Sequence, residues 1–331
     1  MSKLKSKEKR MRRALIVGIN HYVNGPLDGC INDAKHMYEV LNRHEDGSVN
    51  FDCKLMLSND DSCKKKITVT RLKKEIFNLF HQEAEIAVLY FSGHGASTEI
   101  GNYLVTQDVT KYQEGVSLDE VITLANSSKA NEVIIILDCC HGGGIGNLRA
   151  IGGRKAMLRE GVSILTASRD TQFAYERSDS NQALYTSIIY DGLKGGAADM
   201  LGNVNVSGLY NYVDQLLDSW DQRPIFKSHV SKMVSLRKCT PKINLEILRK
   251  ITDYFPDRNY KFPLDPTFDE DIDPSNPANQ KIMKDLRKYY QLELLVPVGE
   301  EYMYHAAENS KPCELTKKGK YFWEMVKSNR I

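Results

Sequence analysis

The sequence predicts an α/β protein in which helices sandwich a mostly parallel sheet. Short runs rich in Val, Ile and Leu recur through the first two-thirds of the chain, and longer amphipathic runs separate them. Continuously apolar strands that alternate with helices are typical of a parallel sheet covered on both faces. Two of the apolar runs end directly in motifs rich in glycine, histidine or cysteine, and this places candidate chemistry at one edge of the sheet.

Each predicted element follows from its periodicity. Strands are expected at the apolar runs 14–19, 85–91, 132–137 and 162–166, and at the alternating run 51–57. Apolar residues at helical spacing predict helices at 30–41, 69–80 and 118–124. After a polar segment, helices are expected near 184–193 and 207–217, and a terminal strand pair or sheet edge at 224–227 and 233–236.

The composition changes after residue 239. Residues 240–278 are dense in proline and aspartate, which predicts a linker, and residues 279–331 return to a helical pattern with a strand-like stretch at 301–306. We therefore predict a basic leader at 1–12, a main domain at 13–239, this linker, and a small α+β, winged-helix-like module at 279–331. The module is a candidate regulatory domain that docks a protein partner.

Charge and hydropathy exclude several classes of protein. The 331 residues carry a net charge of +2, so there is no overall basic field to attract nucleic acid. No apolar run is long enough to span a membrane, and the apolar stretch after the basic leader is too short for a secretory signal. We therefore expect a cytoplasmic protein with reduced cysteines. No pair of cysteines has the spacing of a zinc ribbon, and the adjacent pair Cys139 and Cys140 stands out.

Two motifs carry the candidate chemistry. SGHG, at residues 92–95, follows the apolar run 85–91, and DCCHGG, at residues 138–143, follows the run 132–137. The carboxyl ends of parallel strands meet at one edge of a sheet, so His94 and Cys140 should lie close together. A cysteine beside a histidine supplies a thiol nucleophile with a proton partner. Taken singly, each residue could equally serve packing; together they favour a catalytic pair.

These motifs resemble those of caspase-like cysteine peptidases (peptidase family C14), and more closely the metacaspase and prokaryotic branch. Members of that branch carry Y-x-S-G-H-G around the histidine and D-x-C-H/x-x-G around the cysteine. The corresponding strings here are YFSGHG at 90–95 and DCCHGG at 138–143. The segments ALIVGINHY, LDGCINDAKHM and SILTASRDTQFAYE are also similar, so the resemblance covers about residues 11–238. It implies a caspase–hemoglobinase-like fold.

The resemblance also implies an activity and its residues. Cys140 would be the nucleophile of a cysteine endopeptidase, His94 its proton partner, and the backbone N–H groups of Gly95 and Cys140 the oxyanion hole. Such an enzyme requires no cofactor and is often made as a regulated zymogen. The alternatives are an inactive caspase-like scaffold and a DNA-binding regulator that acts through the C-terminal module. The balanced charge of that module makes nucleic acid an unexpected partner.

Two acidic residues match positions that line the specificity pocket of metacaspases. Asp33 and Asp138 would favour substrates with Arg or Lys before the cut, because carboxylates bind these side chains through charge-assisted hydrogen bonds. The expected partners are therefore protein substrates with Arg or Lys at that position. In the alternative interpretation, Asp33 stabilises the first turn of a helix and Asp138 makes a strand-end hydrogen bond.

Two further features are weaker. The Arg-rich segment 147–160 follows the proposed nucleophile and is a candidate for self-cleavage or simply a solvated loop; its basic residues are Arg149, Arg154, Lys155 and Arg159. Calcium activation, which occurs among metacaspases, would need clustered acids, for which the candidates are Asp108, Asp119 and Glu120. Their spacing matches no EF-hand loop.

Overall fold

A computed structural model describes residues 11–58, 66–99, 101–110, 114–140, 157–167, 183–217, 224–229 and 234–331, with the backbone alone at Cys140. The chain divides into two compact units, Met1–Thr240 and Pro241–Ile331. Among the described residues, no helix combines the length and the apolar character needed to cross a membrane.

The strands of the first unit are β1 (Arg13–Ile19), β2 (Asp52–Ser58), β3 (Ala84–Thr98), β4 (Gly101–Leu104), β5 (Val116–Ser117), β6 (Ala130–Cys140), β7 (Val162–Thr166), β8 (Asn203–Asn205), β9 (Ile225–His229) and β10 (Ser235–Lys238). Its central sheet has the strand order β2-β1-β3-β6-β7-β9. Neighbouring strands along this order run parallel except for β9, which is antiparallel to β7. The mostly parallel sheet is therefore confirmed.

Helices pack on both faces of the sheet. Successive residues of a strand point to opposite faces, so each strand contributes side chains to both apolar cores. Leu15 and Val17 of β1 belong to one apolar core, and Ala14 and Ile16 belong to the other. The first core includes residues of α2 (Val69–His81) and α3 (Leu118–Asn126). The second includes residues of α1 (Cys30–Asn42), α4 (Leu184–Asp191) and α5 (Val206–Leu216). The two-sided burial accounts for the continuously apolar strands.

Strand β3 is longer than the predicted strand 85–91. It continues through the SGHG motif to Thr98 and pairs there with β4 in antiparallel register, from Gly95↔Leu104 to Thr98↔Gly101. The extension was not apparent in the sequence because residues 92–98 are small or polar, and backbone hydrogen bonds to β6 and β4 hold them. Of the expected strand pair or sheet edge at 224–227 and 233–236, the pair is not formed, since β9 pairs with β7 and β10 pairs with β8, but β9 does form an edge of the central sheet.

The second unit is a small α+β structure around an antiparallel sheet with the order β11-β13-β12. Its elements are α6 (Leu245–Arg249), α7 (Ile251–Tyr254), β11 (Lys261–Phe262), α8 (Pro277–Gln291), β12 (Leu295–Pro297), α9 (Met303–Glu308), β13 (Cys313–Leu315) and α10 (Lys317–Lys327).

Two expectations for this region differ from the structure. The strand-like stretch 301–306 is helical instead, because Met303, Ala306 and Ala307 share one buried helical face. The predicted linker 240–278 contains α6, α7 and β11, and it buries Leu248 and Phe255. Apolar residues between the prolines thus fold this stretch into the second unit.

Candidate active site

The two motifs meet at the carboxyl end of the central sheet. Strands β3 and β6 are parallel neighbours, and their register pairs Ser92 with Asp138, Gly93 with Cys139, and His94 with Cys140. The side chain of Cys139 is buried in the core that contains α2 and α3, in agreement with its predicted packing role. The two residues predicted to be catalytic are therefore register partners on neighbouring strands.

The His94 ring contacts the loop that leads from β1 to α1. Its Nε2 lies 2.5 Å from the carbonyl oxygen of Gly25. Because a carbonyl oxygen only accepts, Nε2 carries the proton in this hydrogen bond. The neutral imidazole then has its lone pair on Nδ1. Gly25 adopts φ +74°, a left-handed conformation that a glycine reaches without strain, and this conformation belongs to the turn that presents its carbonyl.

Tyr22, on the same loop, packs against the histidine. The ring centroids of Tyr22 and His94 are 4.6 Å apart, and the Tyr22 hydroxyl accepts a hydrogen bond of 3.0 Å from the His94 backbone N–H. A Cβ atom at Gly93 would lie only 2.5 Å from that hydroxyl, so the glycine is required for this close approach. Neither Tyr22 nor Gly25 was predicted from the sequence, although Tyr22 lies within the NHY string that supported the family resemblance.

Two polar side chains hold this loop in place. Asn20 donates from Nδ2 to the carbonyl of Asp28 at 2.8 Å, and its Oδ1 accepts from the Ile31 N–H at 2.9 Å. Asn20 thereby satisfies a donor in the first turn of α1, whose own N-cap, Gly29, has no side chain to do so. The buried Gln107 donates from Nε2 to the carbonyl of His21 at 2.9 Å. The segment on either side of Tyr22 is therefore fixed by Asn20 within it and by Gln107, which is distant in sequence.

Asp33 and Asp138 lie buried beside this site, each with 1% of its surface exposed. Asp33 accepts hydrogen bonds from the Ser92 hydroxyl at 3.2 Å and from the Ala183 N–H at 3.3 Å. Asp138 accepts from the Thr186 hydroxyl at 2.6 Å. Because Ser92 and Asp138 are paired in the β3–β6 register, the two carboxyl groups belong to one cluster. Asp33 and Asp138 therefore both lie near Ser92 at the carboxyl end of the sheet.

Burial dominates the electrostatics of this cluster. It raises the pKa of Asp138 to about 6, against which the hydrogen bonds from Thr186 act. Burial also raises the pKa of Tyr90 well above its ordinary value, and the charges of Asp33 and Asp138 add to the effect. Within the described part of the chain, Asp138 Oδ1 is buried and has no hydrogen-bond partner. A buried carboxylate oxygen in this state gains strongly from a donor that carries positive charge.

The basic residues of the predicted cleavage loop fall into two groups. Arg149, Arg154 and Lys155 lie outside the described residues. Arg159 is described, and its guanidinium donates to several backbone carbonyls, the shortest being those of Glu160 at 2.6 Å and Ala130 at 2.7 Å. These contacts tie Arg159 to the start of β6 and give it a structural role.

The three calcium candidates have other contacts. Asp108 Oδ1 accepts from the Val69 N–H at 2.9 Å at the start of α2, and Glu120 forms an ion pair of 2.6 Å with Lys73. The Asp119 carbonyl accepts from the Thr123 hydroxyl within α3. Within the described ranges, no group of three or more His, Cys, Asp or Glu residues could hold a metal ion.

The family of the chain follows from comparison with known proteins. Residues 11–235 match the model of the caspase domain, peptidase family C14. The chain belongs to this family. The matched range contains both strands that carry His94 and Cys140, as well as the Tyr22 loop and the acidic cluster.

Curated relatives are metacaspases of fungi. Metacaspase-1A of Aspergillus fumigatus is 26% identical over 193 residues, which cover 54% of this chain and 46% of the relative. Metacaspase-1 of Meyerozyma guilliermondii is 25% identical over 172 residues, which cover 45% of this chain and 39% of the relative. The chain therefore spans less than half the length of these two relatives.

The fold is also found in a solved structure of low sequence identity. A protein from Geobacter sulfurreducens superimposes with a TM-score of 0.50 at 16% identity, covering 69% of this chain and 97% of that one. Caspase-1 from Spodoptera frugiperda gives a TM-score of 0.48 at 13% identity, covering 70% of this chain and 92% of that one.

Proposed function

We propose that this caspase-domain protein is a cysteine endopeptidase that uses Cys140 as nucleophile and His94 as proton partner. The observation that carries the proposal is the β3–β6 register, which pairs His94 with Cys140 at the carboxyl end of the sheet. The hydrogen bond from His94 Nε2 to Gly25 adds to it, because it gives the ring one defined tautomer.

In the proposed reaction, the Cys140 thiol transfers its proton to His94 Nδ1, and the sulfur forms a bond to the carbonyl carbon of the substrate. The backbone N–H groups of Gly95 and Cys140 are the proposed donors to the resulting oxyanion. The C–N bond then breaks, and His94 gives the proton to the leaving amine. Water then attacks the carbonyl carbon of the thioester and gives a proton to His94. The C–S bond breaks, the acid product leaves, and His94 returns the proton to the sulfur to restore the thiol.

We further propose that the acidic cluster binds Arg or Lys at the residue before the cut. Burial of Asp33 and Asp138 excludes water, and Asp138 Oδ1 is an acceptor that lacks a donor within the described chain. A guanidinium can donate two parallel hydrogen bonds to a carboxylate, and its positive charge would stabilise the ionised form of Asp138 that burial disfavours. An aspartate side chain in the same position would bring a third carboxyl group into the cluster.

Self-cleavage and regulation as a zymogen belong to the same proposal. An enzyme that cuts after Arg or Lys could process its own chain after Arg149, Arg154 or Lys155. Cleavage after Arg159 is disfavoured, because its guanidinium already binds backbone carbonyls at the start of β6 and cannot also enter the acidic cluster.

The test is cleavage of a peptide library by the wild-type protein and by Cys140→Ala. The expected result is Cys140-dependent cleavage with Arg or Lys before the cut. Cleavage after Asp would contradict the assignment of the pocket, and equal cleavage by both proteins would contradict the assignment of the nucleophile. Intact-mass measurement of the same two proteins shows whether the chain cuts itself.

A further inference from the structure

We propose that Tyr22 is a positioning residue that holds His94 in the orientation needed to protonate the leaving amine. The proposal rests on the proposed function of His94 and assigns to Tyr22 a role in the same site. Tyr22 has 5% of its surface exposed and makes three kinds of contact around His94, through its hydroxyl, its ring and its loop.

The hydroxyl fixes the backbone of His94. Tyr22 Oη accepts from the His94 N–H at 3.0 Å and donates to the Val105 carbonyl at 3.3 Å. The Val105 N–H in turn donates to the His94 carbonyl at 3.0 Å. Both polar groups of the His94 backbone are therefore bound, and a single hydroxyl links the histidine to the chain segment that follows β4.

The ring and the loop fix the imidazole. One side of the imidazole packs on the Tyr22 ring, with an angle of 51° between the planes, and Nε2 is bound by the carbonyl of Gly25. Tyr22 and Gly25 lie on one short loop, so the ring contact and the hydrogen bond move together. The loop rather than β3 alone therefore sets the direction of Nδ1.

Gly93 of β3 has no side chain, and this leaves room for the Tyr22 hydroxyl of the loop. The Tyr22 hydroxyl occupies the space of a Cβ atom at position 93, at a distance of 2.5 Å. Any side chain at this position would displace the hydroxyl from the His94 N–H. Gly93→Ala is therefore a second variant that breaks the same contact from the opposite side.

The kinetic test uses Tyr22→Phe, which keeps the ring and removes the hydroxyl. An amide substrate needs a proton on its leaving amine, whereas a p-nitrophenyl ester leaves without one, so a misplaced His94 should slow the amide selectively. For an Arg-ended amide, kcat should fall by about 10- to 100-fold with KM nearly unchanged. For the matching ester, kcat/KM, which reports acylation and does not include the water step that His94 also serves, should fall by less than about 3-fold, and Gly93→Ala should show the same selectivity.

The control is Tyr289→Phe in the second unit, which also removes a tyrosine hydroxyl bound to a backbone carbonyl, that of Ile247. It should leave both rates unchanged. If Tyr22→Phe keeps the wild-type ratio of amide to ester rates, whether or not both rates fall, the positioning role is overturned.

A spectroscopic test is independent of activity. With ¹⁵N-labelled histidine, the wild-type His94 ring should show a single tautomer protonated at Nε2, and Tyr22→Phe should show a mixture. A single tautomer in both proteins would overturn the proposal. If the wild type and Cys140→Ala cleave equally, the proposed function fails, and this tautomer comparison still decides whether Tyr22 orients the ring.

Discussion

Asp138 combines complete burial with an acceptor oxygen that has no donor within the described chain. Burial raises the pKa of its carboxyl from 3.8 to about 6. Between pH 3.8 and about pH 6, the Asp138 carboxyl keeps its proton in the folded protein but has lost it in the unfolded chain. The free energy of unfolding therefore falls as pH rises through this range. At neutral pH the ionised residue therefore costs stability, which agrees with the binding role proposed for it.

Asp138→Asn should remove this cost. We expect the difference in melting temperature, variant minus wild type, to be larger at pH 8 than at pH 4. Only the wild type must bury a charge at the higher pH. Cleavage after Arg should be lost in the same variant. Thermal unfolding at both pH values measures the first effect, with Asp52→Asn at an exposed position as the control. A difference that does not change with pH would contradict the assigned cause.

The same carboxyl should shape the pH dependence of cleavage. For an Arg-ended peptide, kcat/KM should rise through about pH 6 as Asp138 ionises in the free protein. The bound guanidinium favours the ionised form, so the corresponding rise in kcat should lie at lower pH. Steady-state kinetics from pH 4.5 to 8 measures both profiles. Coincident profiles would show that Asp138 does not contact the substrate cation.

At the scale of elements, Arg159 joins the starts of two neighbouring strands. Its guanidinium donates to the Ala130 carbonyl at the beginning of β6 and to the Glu160 carbonyl just before β7. Further bonds reach the carbonyls of Ser128 and Ala125, at 3.3 and 3.4 Å. One side chain therefore holds the end of the sheet that lies opposite His94.

Arg159→Met should lower the free energy of unfolding by about 1–3 kcal/mol, because several partly buried carbonyls lose a charged donor. Arg159→Lys should recover part of the loss, since an ammonium can reach some of the same acceptors. Denaturant unfolding gives these values. A loss in Arg159→Met that Arg159→Lys does not reduce would indicate that packing of the side chain, rather than its charge, matters.

Periodicity predicted the longer elements whose stability comes from burial, and it failed where backbone pairing holds a strand or where an element is very short. The run 132–137 is apolar because both faces of β6 are covered, so its place in a parallel sheet was predictable. The extension of β3 beyond Phe91 and the helix α9 were not, because the first is a polar ladder and the second is very short. The motifs identified His94 and Cys140 in the sequence. The role proposed for Tyr22 was not predictable, because it depends on a contact with a residue that is distant in sequence.

On the scale of the first unit, Arg12 connects the beginning of the fold to its end. It precedes β1, and its guanidinium bonds to the Asn50 side chain and to the carbonyls of Ser235 and Leu236 in β10. It also lies 4.3 Å over the Phe51 ring. Burial lowers the pKa of Arg12 to about 10, which leaves the group charged at neutral pH.

Arg12→Met should therefore destabilise the protein by about 2–4 kcal/mol, since several carbonyl acceptors lose a charged donor. Its neighbour provides the control: Arg13 forms an ion pair of 3.5 Å with the exposed Asp52, and Arg13→Met should change stability by less than about 1 kcal/mol. Denaturant unfolding of the two variants measures the contrast. Equal losses would show that Arg12 does not act through its long-range contacts.

The position of His94 inside β3, rather than after it, limits how this site can change over evolution. Ladder partners bind the strand on both sides of the histidine, with β6 before it and β4 after it. Inserting or deleting one residue between Ile86 and Thr98 would shift every following side chain to the opposite face of the sheet. The acidic cluster can diverge by single substitutions, but the spacing along this strand cannot drift, so insertions among descendants of this chain should be confined to its loops.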